Sequence, residues 1–158
     1  MNRVTDTHVY FWGSELSNWH ECKFRHKGLT FFNSEQAFMF EKALYFQDTD
    51  MAKKICETSN PSVAKKLGRQ VKGFDTLKWS KVCYDIMVVV NMAKYSQSLI
   101  LRNALMETED RILVEASPYD TIWGVGLGAE NDDILDENKW KGQNLLGKAL
   151  MEVRENLK

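Results

Sequence analysis

The stretch Ser34-Glu35-Gln36-Ala37-Phe38-Met39-Phe40-Glu41-Lys42 constrains the fold most. At 100° per residue, Glu35, Phe38, Met39, Lys42 and Phe46 fall on one side of a helix, while Ala37, Phe40 and Leu44 fall on the other. A solvated helix keeps one polar stripe. This one is apolar on two faces, so it belongs inside the fold with other elements packed around it. Glu35 and Lys42 then sit among Phe and Met. That placement costs solvation free energy unless the groups are paired or line a cleft. The two residues are seven apart, roughly 10 Å along the axis. They either point into one cavity as a tuned acid/base pair or belong to two separate buried ion pairs.

The rest of the chain can supply that packing. Its 158 residues are 44% hydrophobic, enough for one domain with a real core. No repeat, low-complexity tract or Pro/Gly/Ser linker marks a boundary, so a single domain over 1–158 is expected. A short aromatic strand is predicted at Thr7–Trp12, and a hairpin pairs Cys22–His26 with Leu29–Phe32 across Lys27-Gly28. Helices follow from Ser34, as the cap, to about Gln47, over Asp50–Thr58, and from Pro61 to Gly68. Asp75 caps a long helix over Thr76–Tyr95. Its Ile86–Val90 run alone would also suit a strand, but its length and its flanking charges favour a helix buried through its middle. A helix at Ser98–Glu107, a strand at Arg111–Glu115, a loop over Ser117–Lys141 and a helix over Asn144–Leu157 complete an α+β class, mainly helical with a small sheet.

Composition removes several classes of function. A net charge of −1 with a pI near 6.3 argues against nucleic-acid binding through bulk charge. No run of about 18 apolar residues offers a membrane span. The N-terminal Met1–Asp6 segment lacks an apolar signal region, and three scattered cysteines suit a reducing compartment. A cytoplasmic protein is expected. His20-Glu21-Cys22 with His26 has faint metal spacing, but no second ligand pair follows, so no metal site is expected.

Three further stretches can carry chemistry. In Glu115–Gly128, Gly124, Gly126 and Gly128 let backbone approach a ligand, Trp123 offers a flat face, and Asp120 can accept a hydrogen bond or orient water. The same stretch fits a glycine-rich turn over a core tryptophan. It lacks the strand, helix and downstream acid of a dinucleotide fingerprint. Trp140–Lys148 opens the last helix, where Gly142 frees the backbone and the N-terminus can receive an anion such as phosphate. An ordinary cap by Asn144 fits equally. Gly147, inside a helix, costs roughly 1 kcal/mol against Ala and points to tight packing. Leu67–Gly73 is a basic turn whose Arg69 can hold phosphate, or a solvated loop. Trp79 reads as core before stacking platform.

Taken in order, these segments resemble the NADAR family, named for roles proposed with NAD and ADP-ribose. The likeness runs from Phe11 and Leu16-Ser17-Asn18-Trp19 through Ser34, Glu35 and Lys42. It continues over Ser59-Asn60-Pro61, Ala64–Arg69, Trp79, Leu113–Ser117, Asp120 and Trp123–Leu127, and ends at Gly142, Asn144, Leu146-Gly147 and Leu150–Arg154. Val125, where some members carry Asp, and Gln143 depart from the pattern and bear on the substrate more than on the site. The resemblance implies an α+β fold and an N-glycosyl hydrolase acting on a base–ribose C1–N bond. Removal of ADP-ribose from guanine, in a nucleotide, DNA or RNA, is the expected reaction. Ribosylaminopyrimidine intermediates of riboflavin synthesis are the alternative substrates, and a non-catalytic ADP-ribose or NAD module is the alternative class. It further implies that Lys42 forms a covalent imine with sugar C1 and that Glu35 lies in the same site. Breaking a C1–N bond builds positive charge on the ribose, so Glu35 and Asp120 are expected to share the carboxylate work, and no cofactor is expected. Asn18, Arg69, Trp79, Trp123, Gly124, Gly126, Gly142 and Asn144 would bind the substrate.

Overall fold

The β-branched and aromatic run His8-Val9-Tyr10-Phe11 makes β2 (His8–Phe11), buried from Val9 onward as the middle strand of a three-stranded sheet. A computed structural model describes residues 2–158 of the chain; Met1, where the N-terminal reading begins, lies outside them. β1 (Asn2–Val4), which the sequence reading did not anticipate, pairs antiparallel with β2. β5 (Ile112–Glu115) pairs parallel with it, Val9 opposite Leu113 and Tyr10 opposite Val114. A parallel pair needs a crossover, and here residues 12–111 supply it.

The chain forms two compact units, Met1–Ser17 with Leu99–Lys158, and Asn18–Ser98. The first holds the sheet, α5 (Leu99–Met106), two 3-10 turns (Asp132–Leu135 and Glu137–Lys139) and α6 (Leu145–Asn156). Tyr10, Val114, Ala116, Val125, Leu127 and Ile134 make a buried cluster there, with Trp140 packed on it. α6 lies along β5.

The second unit holds the hairpin β3 (Phe24–His26) and β4 (Leu29–Phe31), with α1 (Ser34–Tyr45), α2 (Thr49–Cys56), α3 (Pro61–Gly68) and α4 (Thr76–Ser96). Lys27 and Gly28 both have positive φ, 51° and 77°, the turn that suits a two-residue hairpin. α1 packs against α2, α3, α4 and β4, as a helix apolar on two faces must. Asp75 caps α4 as expected, accepting from the Leu77 and Lys78 amides at 3.0 and 3.1 Å. The Ile86–Val90 run is helical. It is not buried all round: Cys83, Met87, Val90, Asn91 and Lys94 are buried, while Val89 is exposed.

One cap moves. Asn33, not Ser34, ends α1, because its extended backbone lets Oδ1 accept from the Gln36 amide at 2.7 Å. Ser34 is the first helical residue, and its hydroxyl donates instead to Asn91 Oδ1.

Candidate active site

The ends of α1 are tied down before its functional groups are considered. Asn33 Nδ2 donates to the Ser59 carbonyl at 2.9 Å. Gln36 Oε1 accepts from the Phe32 amide at 2.9 Å, and its Nε2 donates to the Ile55 carbonyl at 3.1 Å. Two side-chain amides thus lock the helix start to the end of α2 and the approach to α3. Past its other end, Asp48 caps α2 through the Met51 amide and holds the Lys72 amide at 2.9 Å. Those two hydrogen bonds hold its carboxyl below the usual range.

Glu35, in the first turn, is buried, and its backbone amide donates to the Asn18 carbonyl at 3.0 Å. Asn18 is buried too. Its Nδ2 reaches Met87 Sδ at 3.4 Å, and its Oδ1 accepts nothing. Whichever way that amide is turned, one of its polar atoms has a weak sulfur partner and the other has none. A buried orphan of this kind is costly in a folded chain, and it fits a polar ligand group.

Lys42, in the last turn, is half-buried with Nζ 4.4 Å from the centre of the Phe74 ring. Burial pushes its pKa down, the Glu35 carboxylate pulls it back up, and the Arg69 charge pushes it down again. The fold therefore brings Glu35 and Arg69 each into electrostatic reach of Lys42. Gly68 makes this geometry possible: a Cβ there would run into Met39 Sδ on α1. Without one, α3 closes on α1 and its cap, Arg69, comes near Lys42.

Around Lys42 stands a set of rings. Phe74 contacts Phe46 (centroids 5.4 Å), and Trp79 contacts Phe38 (5.4 Å), Phe46 (6.0 Å) and Tyr45 (6.0 Å). Trp79 is packed by three rings and half-buried. Phe74 escaped the sequence reading, whose basic turn or solvated loop ended one residue earlier, at Gly73. An aromatic squeezed between a glycine and a helix cap was the available signal. The cysteines are free, and burial pushes all three thiols up. They are poor nucleophiles in consequence. His26, once a metal candidate, meets Glu41 at 2.7 Å, and among the described residues no cluster of three His, Cys, Asp or Glu could hold a metal ion.

The remaining expected residues gather in the first unit, and their side chains are engaged with the chain itself. Asp120 Oδ1 accepts from the Ile122 and Trp123 amides at 2.9 and 2.8 Å, which shapes the loop under Trp123. Gly124 and Gly142 touch: a Cβ on Gly142 would strike the Gly124 carbonyl oxygen. Gly126, at φ 73°, makes the turn between them. The start of α6 was open to two readings, an anion site or an ordinary cap by Asn144. The Leu145 and Leu146 amides already donate to the Ile122 and Trp123 carbonyls, both at 3.1 Å. Nor does Asn144 cap the helix. It takes a left-handed backbone, and its side chain reaches β5, donating to the Leu113 carbonyl at 2.9 Å and accepting from the Glu115 amide at 3.0 Å.

A family model described as the NADAR domain matches residues 10–158. The chain belongs to the NADAR domain family. NADAR relatives extend the assignment. The protein called N-glycosidase R617, from Acanthamoeba polyphaga mimivirus, is 40% identical over 96% of both chains. N-glycosidase YbiA of Escherichia coli is 31% identical over 98% of this chain and 91% of its own length. The NMR structure of YbiA matches with a TM-score of 0.79 at 30% identity, covering 98% of this chain and 87% of that one. A riboflavin biosynthesis protein of maize chloroplasts, PYRR, is 33% identical over 70% of this chain, which spans 17% of it. No described helix is long and apolar enough to cross a membrane.

Proposed function

We propose that this NADAR chain is an N-glycosidase that releases ADP-ribose from guanine, in a nucleotide or nucleic acid, with Lys42 as the nucleophile. The observation that carries the reading is the Lys42 amine, held against Phe74 with its pKa depressed by burial and a carboxylate beside it. Two full-length relatives bear the name N-glycosidase. A module that only bound ADP-ribose would need no neutral amine.

In the proposed reaction the Nζ lone pair bonds to C1′ as the C1′–N bond breaks. The bonding pair leaves with guanine, which takes up the proton that the amine gives up. Opening of the ribose ring turns the lysyl glycosylamine into an imine. Water then adds at C1′, restoring the free amine and releasing the sugar as its aldehyde, which recloses. Positive charge grows on the ribose during the first step, and Glu35 is the carboxylate placed to stabilise it. Arg69 supplies charge for phosphate. Asp120 Oδ1 holds two backbone amides in the other unit, while Glu35 couples electrostatically to Lys42, so the carboxylate role is assigned here to Glu35.

The test is to incubate the protein with ADP-ribosylated guanosine and with ADP-ribosylated DNA and look for free base. Borohydride added during turnover should leave a sugar adduct on Lys42. Undiminished turnover by Lys42→Ala would sink the covalent route. A second reading, hydrolysis of ribosylaminopyrimidine phosphates, draws on the maize relative's name. The same assay with those compounds separates the two, and binding with no release of base would leave the non-catalytic module.

A further inference from the structure

Phe74 is 44% exposed, yet its backbone is pinned on both sides. Before it, the Lys72 amide donates to Asp48 Oδ2 at 2.9 Å, and Gly73 turns the chain at φ 76°. After it, Asp75 caps α4 through the Leu77 and Lys78 amides. Phe46 meets the ring at 62°, with centroids 5.4 Å apart. Lys42 Nζ lies over the ring, 4.4 Å from its centre. All of these residues belong to the second unit. A single exposed apolar side chain is ordinary. This one is held fast with its face toward an amine.

The proposed reaction asks two opposite things of Nζ. Attack needs a neutral amine, which burial favours. The next step needs a cation on the same atom. As the lysyl glycosylamine opens, the C1′–O4′ electron pair goes to O4′, which takes a proton from water, and the Nζ lone pair makes the C=N bond. Nζ keeps its hydrogen and carries the positive charge until the hydroxide left from that water adds at C1′. Aliphatic walls that keep the amine dry penalise this charge as they penalise the ammonium. An aromatic face excludes water too, but its quadrupole attracts a cation.

We propose that the face of Phe74 is a catalytic group, which stabilises the protonated imine on Nζ as the ribose opens. The inference rests on the reading of Lys42 as the nucleophile of an N-glycosidase. A cation engages a ring within about 6 Å of its centre, and Nζ lies well inside that limit. The same nitrogen bears the charge as ammonium and as imine, so one face serves both. The Asp48 strap and the Asp75 cap fix the ring before substrate arrives, and its attraction is then not spent on reorganisation during the reaction.

Fluorination of the ring tests this at nearly constant shape, because each fluorine withdraws density from the face. Position 74 is filled in turn with mono-, di- and trifluorinated phenylalanine in the full chain. Free ADP-ribose, whose open aldehyde forms the same imine, is the probe, and borohydride traps the adduct on Lys42. At a pH where the amine is already neutral, the trapped yield should fall stepwise along the series, by about threefold in all. Base release from ADP-ribosylated guanosine, followed against pH, should show its rising limb move to lower pH by about half a unit, as the ammonium loses the same partner. Phe74→Leu should match the trifluorinated ring, and Phe74→Tyr, which keeps the face, should stay near the wild type. A yield indifferent to fluorine, or a wild-type yield from Phe74→Leu, would overturn the catalytic role of the ring and leave the glycosidase standing. No base release by the wild-type chain would remove the glycosidase reading, and this inference with it.

Discussion

In the proposed reaction Lys42 is the nucleophile, and its surroundings make two of the expectations sharp. Replacing it with Ala should cut base release by about 1000-fold or more, since nothing else in the site is a competent nucleophile. Attack needs the neutral amine, so activity should rise with pH as Lys42 loses its proton. Burial places that rise below the range of an ordinary lysine, and the neighbours set it in opposite senses. Glu35→Gln removes a charge that favours the ammonium, so the rising limb of the surviving activity should move to lower pH. Arg69→Ala removes a charge that disfavours it, so the limb should move to higher pH. A pH–rate profile of each variant checks this, and movement of both in one direction would exclude Lys42 as the group observed. Stability follows the same sign. A lysine whose pKa is lowered by folding costs stability at neutral pH, and the cost disappears only as pH rises past its folded pKa toward the unfolded one. Lys42→Met should therefore unfold at higher denaturant than the wild type while being inactive.

The helices show where local sequence rules hold and where tertiary structure overrides them. Asp75 and Pro61 were readable because cap and first-turn preferences depend on a few neighbouring backbone groups. Asn144 was not, because its partners, Leu113 and Glu115, lie about thirty residues away. Asn144→Ala should cost about 2–3 kcal/mol, since it leaves a buried carbonyl and an amide of β5 unpaired and strains the backbone. Asn144→Gly relieves the strain and not the lost bonds, so it should recover only part of that in urea denaturation. Gly147 gives the opposite lesson on propensity. In an isolated helix Ala would be better by roughly 1 kcal/mol. Here a Cβ would collide with the Leu113 carbonyl oxygen, which is backbone in a strand and cannot turn aside. Gly147→Ala should destabilise by about 2 kcal/mol or more, and a stabilised variant would mean that α6 does not press on β5 as described.

The same contrast explains how much of the site was legible in the chain. Glu35 and Lys42 stood out because a charge on an apolar helical face is visible from spacing alone. Gly68 and Arg69 became part of their surroundings only through the closure of α3 on α1, and Phe74 only through the turn that follows. The β5 strand was expected, but not its parallel partner, because residues 12–111 separate it from β2 and periodicity carries no pairing information. That pairing makes the first unit dependent on segments from opposite ends of the chain. Its first 17 residues contribute Val9, Tyr10, Phe11 and Leu16, all essentially buried. At about 2 kcal/mol each these side chains supply roughly 8 kcal/mol, against a typical total of about 5–15 kcal/mol for a whole domain. A chain beginning at Asn18 also leaves one edge of β5 without its ladder. Hydrogen exchange should then find the amides of β5 and α6 unprotected, whereas the full chain protects them for minutes to hours. Protected β5 amides in the shortened chain would show that α6 alone can hold the strand, and that the sheet is an accessory to the first unit and not its foundation.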